Sequence, residues 1–263
     1  MAIAARLFLM CALGFGAALG GVSSATAQID SKKLPAAKKA AASFVERAKG
    51  SEKTGEVPRM TDPAIKQLLD TVYDVRDIDA AKAIPFQALS PLGERIAIST
   101  KVGLIYMLAG TGAADLSQAT ADPTIGEKIN LNVIKYPDEM GRYFDFAVTV
   151  HGAITDSLLS HMSNAKPADL ARPNFKSGLE NIRGGAARSV SGVIETLAVN
   201  GLTDEWIRAR IPPLMAIAPK LNKFLLADQK EELQKLAIAC ADVTDDAQAK
   251  KSLQDFAAVI GGK

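Results

Sequence analysis

The residues best able to do chemistry crowd into one run, KYPDEMGRYFDFAVTVHG at positions 135–152. It places Asp138, Glu139, Arg142, Tyr143 and Asp145 ahead of His151, one of only two histidines in the chain. Such a set would serve general acid–base catalysis, with His151 as base and Tyr143 or a carboxylate as its partner. The same residues also fit an ordinary helix start. Tyr136-Pro137 puts proline at the first helical position, and Asp138 and Glu139 then meet the positive end of the helix dipole. Glu139 is spaced to meet Arg142 and Tyr143 on one side.

At ~100° per residue, Phe144, Ala147, Val148, His151, Ile154, Leu158 and Met162 share one apolar stripe, with His151 near its middle. His161 sits at the edge of that stripe, roughly 15 Å further along the axis, so the two imidazoles do not share a metal ion. His151 reads as a core histidine hydrogen-bonded to a neighbour. Asp145 points away from the stripe and reads as solvated.

A second run, ENIRGGAARSVSGVIETL at 180–197, sets Gly184, Gly185, Ala187, Ser189, Ser191 and Gly192 in one helix. Each glycine costs about 1 kcal/mol relative to alanine inside a helix. That spacing points to something approaching the backbone closely. It is either a tightly packed neighbouring helix or a ligand or partner lying along the face, with Arg183 and Arg188 at the rim. The candidate ligand or partner face is therefore Arg183, Gly184, Gly185, Arg188, Ser189 and Gly192, joined by Tyr143 and His151 from the first run.

Other chemistries lack their motifs. The chain has no glycine-rich phosphate loop, no Cys-x-x-Cys-His, no Gly-x-Ser-x-Gly elbow and no His-Glu-x-x-His. Val148 and Leu158 stand where a Glu-x-x-His di-iron bundle would need its glutamates. The reading assigns no catalytic residue, no cofactor and no metal site. Thirty-one basic side chains against 29 acidic ones, well dispersed, argue against nucleic acid as the main partner.

The elements that must position these residues are helices throughout. Residues 1–27 carry Arg6, an uncharged apolar stretch from Leu7 to Leu19 and small residues at Ala25 and Ala27, the pattern of a cleaved signal peptide. The apolar stretch is too short to span a bilayer comfortably, so no stable membrane insertion is expected after cleavage. Residues 28–60 read as a loosely ordered arm with one amphipathic helix. Residues 61–263 read as a single all-α domain, the whole forming a bundle of about eight helices. Start signals recur at Asp62-Pro63, Ser90-Pro91, Thr203-Asp204 and Thr244-Asp245-Asp246, with Asp228 and Glu231 resembling a capping box. Pro212-Pro213 is expected to break the helix they interrupt. Cys240, alone after signal cleavage, lies among apolar neighbours and reads as an inert buried thiol.

The function expected is that of an exported soluble helical protein, periplasmic in a Gram-negative source, acting by binding, in a partner-protein or scaffold role, rather than by catalysis. The alternatives are a carrier of a small apolar ligand or lipid in a helical cavity, and an enzyme using His151 with Tyr143 or a carboxylate.

Overall fold

The computed structural model describes residues 33–78, 89–116, 118 and 122–262, and every regular element among them is helical. The expected signal peptide lies outside the described residues. The helices are α1 Lys33–Arg47, α2 Ser51–Thr54, α3 Pro63–Val72, α4 Leu89–Met107, α5 Pro123–Lys135 and α6 Pro137–Asn164. They continue with α7 Pro167–Leu170, α8 Pro173–Thr196, α9 Asp204–Phe224, α10 Ala227–Val243 and α11 Ala247–Ile260. The count exceeds the expected eight mainly through α2 and α7, four-residue turns too short to carry a helical period. None of the described helices is long and apolar enough to cross a membrane.

The cap residues act where the sequence puts them. Asp62, Thr203 and Asp246 each accept a backbone N–H of the first turn of α3, α9 and α11. The start of α10 differs from expectation. Leu226 holds the cap position, with Gln229 Oε1 accepting its N–H at 3.2 Å, so Asp228 falls inside the first turn. A second difference is α9, which runs unbroken through Pro212, Pro213 and Pro219. Its apolar side, Ile211, Leu214, Ile217 and Leu221, is buried mainly against α6 and α11, and that packing overrides the prolines.

The arm from residue 33 is not loose. α1 buries Ala37, Ala40, Ala41 and Phe44 against α3 and α4, which makes it part of the core. Beyond it, residues 55–60 form a strap clamped by the tyrosines. The Tyr136 hydroxyl donates to the Gly55 carbonyl at 2.8 Å and accepts from the Val57 N–H at 3.1 Å. The Tyr106 hydroxyl donates to the Pro58 carbonyl at 2.7 Å. Gly55 and Gly110 both take positive φ, and a Cβ on Gly110 would stand 3.0 Å from the Gly55 Cα, so the strap lies directly on the turn after α4.

Candidate functional site

The long helix α6 carries most of the residues singled out above, and α4, α8 and α9 pack around it. The single turn α7 folds α8 back antiparallel to α6. Two contacts fix the register: His161 meets the Phe175 ring at 5.9 Å, and a Cβ on Gly185 would stand 3.5 Å from His151 Cε1.

His151 and Tyr143 part company on α6. Tyr143 turns to α4, where a Cβ on Gly103 would press to 2.9 Å from its ring. It also packs on Tyr73 and Phe144. His151 turns to α8. Eight residues separate them, roughly 12 Å of helix rise, so this pair makes no acid–base couple.

His151 is 1% exposed, and its Nδ1 has no hydrogen-bond partner. Burial, reinforced by the charge of Arg188, lowers its pKa to about 4, so the imidazole is neutral at pH 7. One turn along the same side of α6, the hydroxyl of the fully buried Thr155 is also without a partner. Across on α8, the Arg188 Nε is buried and unpaired, and no carboxylate among the described residues ion-pairs with this guanidinium.

The glycines of α8 divide into different roles. Gly184 makes room for Arg188 of its own helix, whose Nη1 would lie 3.0 Å from an added Cβ. Gly185 admits His151, while nothing lies within 4 Å of the Cβ position at Gly192. Ser189 is half-buried. Arg183 stands apart from the others: its Nε donates to the Phe224 carbonyl at 2.8 Å, and its guanidinium lies 5.3 Å from the Phe224 ring, tying α8 to the end of α9.

Two carboxylates of the first run differ from expectation. Asp145 is not free in solvent: its Oδ2 accepts from Arg210 Nη2 at 3.2 Å, and Arg210 lies 4.5 Å from the Trp206 ring. Burial raises the Asp145 pKa, and the Arg210 charge opposes that rise. Glu139 is 2% exposed. Its Oε1 accepts the Met60 N–H at 2.7 Å and completes the clamp on the strap, whereas Oε2 has no partner. Periodicity could not show this, because the strap arrives from 79 residues earlier in the chain.

A cavity of about 120 Å³ opens on the other flank of α6, against α9. Val148, Gly152 and Ala153 of α6 face Pro213, Ala216 and Ile217 of α9, with Ile78 alongside. Thr149 and the ion pair of Asp156 and Lys220, each of the pair about one-third exposed, complete the lining. The signal for it was present as small residues on two helices, Gly152-Ala153 and Ala216, but nothing in either segment alone says that they face each other.

The sequence also gave no hint of Glu195. It is 7% exposed on α8, both carboxyl oxygens lack partners, and burial raises its pKa to about 8. Among the described residues no group of three or more His, Cys, Asp or Glu side chains is arranged to hold a metal ion. Compared with family models, curated proteins and solved structures, the chain matches none.

Proposed function

We propose that this is an exported binding protein whose ligand is a small, mainly apolar molecule held between α6 and α9. The observation that carries the reading is the cavity of about 120 Å³, apolar along most of its lining and bounded at a partly exposed end by Asp156 and Lys220. A closed apolar cavity of about 150 Å³ takes a benzene-sized molecule, so the body of the ligand is one ring or a short branched chain. The ion pair would orient a polar substituent toward solvent. The catalytic alternative draws no support from His151, which is neutral, buried and turned away from Tyr143. Export follows from the pattern of residues 1–27.

Native mass spectrometry of protein purified from its own host tests the reading. The expected result is a retained small molecule that is lost in Gly152→Leu, because a Cβ at 152 meets only Ile217 and Lys220 at ordinary contact distance and a leucine there fills the cavity. No retained molecule, or equal retention in a Gly152→Leu variant of normal melting temperature, overturns it.

A further inference from the structure

The α6–α8 interface holds a second, chemically different feature. A guanidinium normally brings an anion with it when it enters a protein interior, because an unpaired buried charge is costly. Arg95 in this same bundle obeys that rule, donating from Nη1 to Asp77 Oδ2 at 3.0 Å. Arg210 likewise reaches Asp145. Arg188 reaches no carboxylate among the described residues, although it is half-buried and its Nε is shut away from water. His151, near enough for the Arg188 charge to act on it, leaves its Nδ1 unpartnered, and one turn further along α6 Thr155 Oγ1 is unpartnered too, on side chains 1% and 0% exposed. Threonine in a helix usually returns its hydroxyl to the carbonyl four residues back. Thr149 and Thr196 do so here, and Thr155 does not. Glycines at 184 and 185 leave the space in which the guanidinium and the imidazole lie.

We propose that Arg188, His151 and Thr155 form a binding site for a small oxyanion, a carboxylate or a phosphate group. Arg188 Nε–H supplies the charge-assisted donor, Thr155 Oγ1–H a second donor, and neutral His151 a third when its proton is on Nδ1. The partial exposure of Gly184, Gly185 and Arg188 gives the site a way in from the α8 surface. None of these three residues lines the apolar cavity, and the site does not depend on that reading.

The test uses inorganic phosphate and acetate as probes, with chloride at equal ionic strength as reference. Thermal unfolding and the His151 Cε1 proton resonance are followed in the wild-type protein, Arg188→Gln, Arg188→Lys and Thr155→Val. The expected result is a rise in Tm and a saturable shift of the His151 signal with at least one oxyanion. Arg188→Gln should weaken the affinity about tenfold or more, as loss of a charge-assisted hydrogen bond does, and Thr155→Val should weaken it less. Arg188→Lys, which keeps the charge and loses the fork, should fall between. Response to phosphate alone assigns a phosphoryl ligand; response to acetate assigns a carboxylate. No response beyond chloride means that the three groups share internal water only, and an equal response in a folded Arg188→Gln places the anion elsewhere; either overturns the proposal.

Discussion

The carboxyl of Glu195 on α8 lies close enough to the Cys240 thiol on α10 for its charge to act there, and neither of its oxygens has a hydrogen-bond partner. The carboxyl is thus held protonated in the fold up to about pH 8, where an unfolded chain ionises it near 4.5. A raised acid pKa of this kind leaves stability whole below pH 4.5 and removes it as pH rises toward 8. Glu195→Gln should therefore raise stability at pH 8 by roughly 2–4 kcal/mol and leave it almost unchanged at pH 4.5. Denaturant melts at the two pH values check this. An equal effect at both would show that Glu195 ionises freely.

The thiol itself should be inert. Cys240 is 3% exposed, and burial, with the nearby Glu195, pushes its pKa up to about 12. Iodoacetamide at pH 8 should leave it unmodified in the native protein and label it fully after denaturation. Mass spectrometry of the two samples distinguishes this from a surface thiol, which would label in both.

His151 pulls stability in the opposite direction to Glu195. Its folded pKa of about 4 lies below the usual 6.5, so its contribution is intact above pH 6.5 and is lost as pH falls toward 4. His151→Gln should flatten this acid-side loss at small cost in neutral solution. His151→Ala should cost about 2–4 kcal/mol at pH 7 by opening a cavity. Equal melting temperatures for all three proteins at pH 5 and pH 7 would contradict the account.

Glu139 should matter to the strap and not to α6 alone. Glu139→Ala strands the Met60 N–H and should cost about 1–3 kcal/mol, with exchange of the Met60 amide quickened about tenfold or more. Asp138→Asn, which removes a charge felt by the first-turn dipole and by Arg210, should cost under about 1 kcal/mol and leave Met60 protected. Hydrogen exchange on the two variants separates the roles.

Export should remove residues 1–27. Amino-terminal sequencing of the protein recovered outside the cytoplasm should begin at Gln28, and a chain still carrying Leu7–Leu19 would instead be an anchored one.

Helix positions were legible wherever a short-range signal sets them. Asp62, Thr203 and Asp246 announce their helices because a cap needs only three or four neighbouring residues. On α4 the apolar spacing Ile98, Val102, Ile105 and Leu108 marks the inside only in part: Val102 and Leu108 are buried and the two isoleucines half-buried, while Arg95, Ser99, Thr100 and Gly103 are buried as well. Those residues look polar or small in isolation. They are inside because Asp77 neutralises Arg95 and the Tyr143 ring needs the room at Gly103, and both partners lie far away in sequence. The candidate site behaved the same way. Gly185 and His151 each stood out singly, but no spacing rule says that Arg188 would lack an anion or that Thr155 would lack a partner.

The three prolines of α9 bear on the order in which the bundle assembles. Without their N–H groups the carbonyls of Arg208, Ala209 and Met215 lose their usual helical partners, and a segment so weakened holds little helix by itself. Its geometry must be lent to it by α6 and by the pair α10 and α11, which make many local contacts of their own. On this ground α9 should dock late, onto a surface formed by its neighbours. Because α9 forms one wall of the apolar cavity, the cavity should form only once α9 has docked and should open when it loosens, which amide exchange along α9 would show.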